Sequence, residues 1–86
     1  DNSKMTIAYT KLFTVEKALT NLKNSFIFFK DWSYLFAFLP KNIKDRLEIK
    51  SVYASHFVAS LELAKEGHVL LKQDSKINDL QMIKND

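Results

Sequence analysis

The chain has no cysteine, one glycine and one proline among its 86 residues. Without cysteine it can form no disulfide framework, no thiolate metal site and no thiol nucleophile, which is compatible with the reducing cytoplasm. A single glycine also excludes a glycine-rich phosphate-binding loop. So little glycine and proline argues against a loop-rich or disordered chain.

Charge of one sign and long apolar runs are also scarce. The formal net charge is only +3, and the thirteen basic residues are spread along the chain, which is typical of a solvated surface rather than a phosphate-binding track. The longest apolar run, Leu35 to Leu39, is too short to cross a bilayer, so we expect no membrane partner. The chain begins with Asp1 rather than Met, and we expect it to be a piece of a longer protein.

What is present suffices for one small packed domain. The 47% of hydrophobic and 13% of aromatic residues can form a core, although a domain of this length buries only about 60–65% of its unfolded surface. We expect residues 1–11 to be a lead-in or linker remnant and residues 12–86 to form the domain.

Local signals predict an α+β order of elements. Thr14 is a good N-cap for a first helix from Val15 to Lys23. Residues Ser25 to Phe29 are rich in strand formers and predict a short strand. Asp31 then caps a second helix from Trp32 to about Phe38, and Pro40 ends it.

The second half of the chain predicts a long helix and a hairpin. The third helix runs from Ile49 to Gly67, with the glycine as its left-handed cap. His68 to Gln73 and Leu80 to Lys84 predict two strands, joined by a turn over Asp74 to Asn78. Three helices, a short strand after the first and a C-terminal hairpin form the winged-helix arrangement.

The third helix is apolar around most of its circumference, which predicts burial on more than one side. At 100° per residue, its side chains fall into four groups. They are a broad apolar stripe (Tyr53, Ala54, Phe57, Leu61, Ala64), a narrow one (Val52, Ala59, Leu63), a separator (His56, Ser60) and a polar strip (Ser51, Ser55, Glu62, Glu66). Val58 falls near the edge of the broad stripe.

Nothing in the sequence indicates an enzyme. His56 and His68 are twelve residues apart, and neither has an Asp or Glu at metal-ligand spacing. We interpret His56 as a surface or cap residue at the helix edge, and the serines of the third helix as small residues that permit close packing. We therefore expect no catalytic residues, no metal and no cofactor.

Two binding functions remain. A DNA-binding winged helix needs basic or amide side chains on its recognition helix, whereas the exposed strip carries Ser51, Ser55, Glu62 and Glu66. We expect no direct sequence-specific DNA recognition, although DNA binding stays the alternative. Phe57 and Leu61 project side by side and can anchor a partner protein, or they can belong to the domain core; periodicity does not decide between the two.

Three motifs resemble the C-terminal domain of bacterial kleisins, the segregation and condensation protein A family. Trp32 to Pro40 is similar to W-x-x-L-x-x-F-L-P. Ala54 to Asp74 resembles A-S-T-F-L-A-x-L-E-L-x-K-E-G-x-x-x-L-x-Q-D, and Phe13 to Leu19 is close to W-S-V-E-D-A-L. Together they cover about residues 12 to 83, in the order and spacing of the family.

The resemblance implies a winged helix that docks on the ATPase head of an SMC protein, in a cytoplasmic, nucleoid-associated complex for chromosome condensation and segregation. It implies head contacts through Phe57, Leu61 and Gln73. Accessory proteins would bind kleisin parts that this chain lacks. After Gln73 the family reads D-E-P-F-G-D-I, whereas this chain reads D-S-K-I-N-D-L from Asp74 to Leu80, so the wing tip departs from the family.

Overall fold

The computed structural model describes residues 13–28, 30–74 and 79–85, and these form a small α+β domain. Within them lie two α-helices, two short 3₁₀ segments and one three-stranded antiparallel sheet. The elements are α1 (Val15–Asn24), 3₁₀ segments Phe26–Phe28 and Leu35–Phe38, β1 (Ser33–Tyr34), α2 (Arg46–Lys65), β2 (Val69–Lys72) and β3 (Gln81–Lys84). The α+β class is confirmed, but the helix count differs from the expected three.

Helix α1 begins as its capping signal predicts. The hydroxyl of Thr14 accepts a hydrogen bond from the backbone nitrogen of Lys17 at 3.1 Å, and Glu16 lies in the first turn. Both features stabilise the free N–H groups at a helix start. Ala18 and Leu22 are fully buried on its inner face, and the predicted bounds are right to within one residue.

The predicted strand from Ser25 to Phe29 is wrong. Phe26–Phe28 form a 3₁₀ turn that continues from α1, and the backbone nitrogen of Phe28 donates to the carbonyl of Ser25 at 2.9 Å. Strand-forming side chains need a neighbouring strand, and this segment has none among the described residues. Phe29, the last residue of that prediction, lies outside the described residues.

The predicted second helix over Trp32 to Phe38 is also wrong. Ser33 and Tyr34 instead form β1, which pairs with β3 with Ser33 opposite Met82. The backbone nitrogen of Leu35 then donates to the carbonyl of Leu80 at 3.0 Å, a long-range bond that draws the chain towards the sheet. Only Leu35–Phe38 retain a helical turn, of the 3₁₀ kind. Tertiary pairing therefore overrides a short apolar periodicity.

Helix α2 is the predicted third helix, and it begins three residues earlier than expected. The carboxylate of Asp45 caps it by accepting from the backbone nitrogen of Leu47 at 2.9 Å. Its end is a Schellman motif, because the nitrogens of Gly67 and His68 donate to the carbonyls of Ala64 and Leu63. Gly67 has a φ of 84°, so the predicted left-handed glycine is confirmed.

The C-terminal hairpin is confirmed with slightly shorter strands. β2 and β3 pair antiparallel with Leu71 opposite Met82, and β3 lies in the centre of the order β1-β3-β2. The predicted turn over Asp74 to Asn78 falls mostly on residues 75–78, which lie outside the described residues, as does the lead-in over residues 1–11.

One core joins both helices to the sheet. It consists of side chains that are almost completely buried, and they are Ala18, Leu22, Leu35, Ala59, Leu63, Val69, Leu80 and Met82. Burial of this apolar surface supplies the main free energy that holds the helices on the sheet. Over the described residues, neither helix combines the length and the apolar character that a bilayer crossing requires.

Candidate docking surface on the long helix

A row of apolar side chains faces solvent along α2. It consists of Leu47, Ala54, Val58 and Leu61, spaced by seven, four and three residues, and we call it the outer stripe. Such spacings place all four on one side of a helix. Leu47 is 44% exposed, Val58 46% and Leu61 47%. Three large aliphatic side chains are thus left half in water along one helix face.

A groove lies beside the N-terminal half of the outer stripe. Its walls are α2 and the start of α1, and its volume is about 390 Å³. Phe13 and Val15 form the α1 side, and Leu47, Ala54 and Val58 form part of the α2 side. The groove therefore extends the apolar surface of the stripe across to the first helix.

Phe13 is held in this groove by backbone hydrogen bonds. Its nitrogen donates to the hydroxyl of Ser51 at 2.7 Å, and that hydroxyl lies 3.2 Å from the carbonyl of Phe13. The Phe13 ring also stacks at a tilt on the imidazole of His56, with 5.3 Å between centroids. Ser51, which we placed on the exposed polar strip, is instead half-buried. Its hydroxyl links α2 to Phe13, just before the start of α1.

His56 lies inside the domain, so its interpretation as a surface or cap residue is wrong. It is fully buried, and its Nδ1 donates to the carbonyl of Val52 at 2.8 Å. Its Nε2 lies 2.9 Å from the amide nitrogen of Asn21, which also donates to the carbonyl of Phe38 at 2.8 Å. Burial lowers the pKa of His56 from its usual value. The imidazole thus links α2 to Asn21 of α1, and Asn21 in turn bonds to the second 3₁₀ segment.

Ser55 and Ser60 also belong to the buried face. Ser55 was predicted to be exposed, yet its hydroxyl donates to the carbonyl of Val52, and Ser60 donates in the same way to Phe57. Such bonds one turn back satisfy a hydroxyl without any outside partner. Assigning helix faces from the sequence treats serine and histidine as polar, and it therefore underestimates the width of the buried face of α2. The predicted narrow stripe of Val52, Ala59 and Leu63 is fully buried as expected.

The structure separates the two anchor candidates Phe57 and Leu61. Phe57 is half-buried and packs against the core cluster, whereas Leu61 is on the exposed outer stripe. Phe57 therefore contributes to the domain core as well as to the surface beside Leu61. The prediction missed Leu47 because the helix start was placed at Ile49, and it left Val58 at the edge of a stripe. The spacing of Leu47, Val58 and Leu61 was the signal that would have found them.

Gln73 lies on a different element. It follows the last residue of β2 and is exposed. β2 is an outer strand of the sheet, so one of its backbone edges is not paired by β3. Leu70, on the same strand, is 49% exposed. Any surface that includes Leu61 and Gln73 must therefore extend from α2 on to the edge of the hairpin.

The described part of the chain shows no metal-binding cluster beside this apolar surface. No group of three His, Asp or Glu side chains there is placed to hold a metal ion. Both ring nitrogens of His56 already have partners, and His68 is an exposed side chain whose Nε2 lies 3.6 Å from a carboxylate oxygen of Glu66.

Comparison of the chain with protein-family models, with curated proteins and with solved structures gives no match in any of the three. The resemblance to the kleisin C-terminal domain therefore rests on the sequence motifs alone and stays a prediction.

Proposed function

We propose that this chain is a winged-helix docking module, and that it binds the ATPase head of an SMC protein in a chromosome condensation and segregation complex. The partner comes from the motif resemblance. The physical requirement for such a role is an apolar face that the domain does not cover with its own residues.

The order of elements supports the winged-helix part of the proposal. A strand between the helices adds to the hairpin that follows α2, in the sheet order β1-β3-β2. The second helix of a winged helix then corresponds to the shortened 3₁₀ turn Leu35–Phe38. The hairpin β2–β3 would be the wing, beside the long helix that docks.

The outer stripe is the observation that carries the proposal. Leu61 and Val58 are half exposed, whereas Leu63, two positions after Leu61 and on the opposite face, is fully buried. Large apolar side chains in a row, with the core satisfied behind them, are typical of helix faces that bind a partner protein. Leu61 matches the family position that contacts the head, and β2 offers a backbone edge for added pairing.

DNA binding stays the second candidate because of one structural observation. α2 begins at Arg46, so Arg46 and Lys50 lie in its first turns, where a recognition helix contacts DNA. Leu47 and Ile49 are exposed between them, however, and aliphatic side chains make poor phosphate contacts. A steep fall of affinity for a DNA duplex with salt would favour this candidate over the first.

Co-elution with an SMC head fragment tests the proposed function. We expect the domain to form a complex with the head of the SMC protein from the same organism on size exclusion. Leu61→Arg and Val58→Arg should each weaken the complex by about tenfold or more, because both place a charge in a desolvated contact.

A matched control keeps this test specific. Ile27 is 75% exposed and lies in the first 3₁₀ turn, away from α2 in the chain, so Ile27→Arg makes the same chemical change outside the stripe. It should leave binding unchanged. Absence of co-elution by the unaltered domain, or equal weakening by Ile27→Arg, would contradict the proposal.

A further inference from the structure

A second apolar groove lies along the flank of α2, where the buried side chain of Val52 is part of its lining. It runs between the second 3₁₀ segment, the loop after it and the N-terminal half of α2. Phe36 and Ile49 line two adjoining hollows, of about 170 and 270 Å³, so the hollows form one continuous groove. Leu39 and Pro40 complete one end, and Tyr53 the other.

The floor of this groove is apolar and open to solvent. Phe36 is 60% exposed and Ile49 46%, although Leu35, next to Phe36 in the chain, is almost completely buried. Phe36 meets Tyr53 edge to face, with 6.4 Å between the ring centroids and 62° between the planes. That contact holds the two rings as a preformed wall. Phe36 is thus held in place with more than half of its surface uncovered, beside the half-exposed Ile49.

The rim of the groove is basic. Lys41 lines one hollow and Lys50 the other, and Lys44 and Arg46 are exposed in the stretch between them. Residues 41–50 contain these four cations and two acids, Asp45 and Glu48, which leaves a net charge of +2.

One of the two acids in this stretch caps α2, and the other lies on a different side of the helix from Lys50. Asp45 accepts from the backbone at the start of α2. Glu48 is half-buried and lies two positions before Lys50, about 200° away around the helix axis. One further acid, Asp79, lies near Tyr53 and helps burial to raise the pKa of that phenol. The stretch from Lys41 to Lys50 therefore has an excess of positive charge, and Asp79 adds a negative group at the Tyr53 end of the groove.

We propose that this second groove binds an acidic, amphipathic peptide segment of a partner protein. Apolar side chains of the segment cover Phe36 and Ile49, and its carboxylates face Lys41 and Lys44. Burial of the apolar surface supplies the affinity, while the charges set selectivity and the rate of encounter. A nucleic acid would meet the lysines but leave the apolar floor uncovered, so a peptide fits both features.

This site is separate from the surface proposed to hold the SMC head. Leu61 and Val58 lie about 120° or more around the helix from Ile49, and neither lines the second groove. Lys50 lines both grooves, so it does not discriminate between the sites. Lys41 lines the second groove and not the first, and Lys44 is exposed three positions after it, so these two lysines are suited to a test.

Paired peptide sets measured by fluorescence anisotropy test the proposal. One set consists of labelled peptides of about twelve residues with leucines at helical spacing and glutamates between them; the other replaces every glutamate by lysine. The acidic set should contain peptides that bind at least about tenfold more tightly than any basic counterpart. Lys41→Glu with Lys44→Glu should reverse that preference.

Variants of the floor locate the binding. Ile49→Asp should weaken the acidic peptides by about tenfold or more, and Phe36→Asp supplies the same test if Ile49→Asp fails to fold by circular dichroism. Leu61→Arg should leave peptide binding unchanged, which separates this result from the test of the proposed function. Equal binding of acidic and basic sets, no effect of either floor variant, or displacement of the peptide by a DNA duplex at low salt would each overturn the proposal.

Discussion

The amide nitrogen of Asn21 lies 2.9 Å from Nε2 of His56, and this contact connects the two helices inside the domain. The carbonyls of Val52 and Phe38 can only accept hydrogen bonds. His56 therefore carries its proton on Nδ1, and the amide of Asn21 donates both to Nε2 and to Phe38. A second proton on His56 would place two donors against each other. Turning the amide would relieve that clash only by leaving the Phe38 carbonyl without its donor.

This arrangement predicts that the domain loses stability in mild acid. Because burial lowers the pKa of His56, the unfolded chain binds a proton below pH 6.5 before the folded chain does. The free energy of unfolding should therefore fall as the pH drops below about 6.5, by up to about 1.4 kcal/mol per pH unit. Thermal unfolding measured at several pH values between about 5 and 7.5 should show this loss of stability.

Two glutamine variants isolate the cause of the acid effect. His56→Gln keeps one donor and one acceptor but does not titrate, so it should flatten the dependence of stability on pH. His68→Gln removes the exposed histidine and should retain the dependence of the unaltered domain. The same pH profile for both variants would mean that His56 is not the group responsible.

Leucines two positions apart on α2 should differ sharply in their contribution to stability. Leu63 has no exposed surface, and Leu63→Ala should reduce the free energy of unfolding by about 2–5 kcal/mol. Leu61→Ala should cost less than about 1 kcal/mol, because the side chain is already half in water. Urea unfolding measures both. Phe57→Ala should fall between them, since Phe57 packs on the core.

This ranking also decides which variants can report on docking. Charged substitutions at Leu61 or Val58 should leave the unfolding midpoint close to that of the unaltered domain. Phe57→Arg should destabilise the domain, so loss of partner binding by that variant alone would not locate the interface. A Leu61→Arg variant as unstable as Leu63→Ala would show that the outer stripe is part of the fold.

Gly67 should be needed because its backbone is in the left-handed region, and not because a side chain would clash there. Its φ of 84° lies in the left-handed region, and a Cβ added there would meet nothing within 4 Å. Gly67→Ala should therefore cost only the conformational penalty, about 1 kcal/mol, and Gly67→Asn should cost less because asparagine tolerates this region. A loss of stability several times larger for alanine would indicate a steric conflict with the start of β2.

Trp32 should report on the hairpin through its contact with Lys72. The ammonium of Lys72 lies 4.4 Å from the centre of the indole, within cation–π range, and Trp32 is the single tryptophan of the chain. Lys72→Gln should shift the fluorescence emission and cost about 0.5–1 kcal/mol. Lys65→Gln, on exposed α2 surface, should change neither. Unchanged emission in Lys72→Gln would mean that the contact is not formed in solution.

Signals that act over a few residues were enough for some elements. Thr14 caps α1, Gly67 ends α2, and the two segments that follow pair as a hairpin, because each needs only near neighbours in the chain. The same local approach failed over residues 25–38. There Ser33 pairs with Met82, about fifty positions away, and no short window contains that partner.

The candidate surface was predicted only in part for a related reason. Periodicity placed Val52, Ala59 and Leu63 together, but it could not rank Phe57 against Leu61, since both face the same side of the helix. Packing against α1 and the sheet decides that ranking. The second groove depends on Phe36, whose exposure follows from the loss of the predicted second helix.

The sequence alone determined the long helix, the hairpin that follows it and the α+β class, because caps, turns and apolar periodicity are set by covalent neighbours. The tertiary structure decided that His56 is a buried link, that the chain before Pro40 forms a strand and a 3₁₀ turn, and which apolar side chains stay in water. Burial is a property of surfaces brought together from distant parts of the chain, and no local pattern records which surfaces meet.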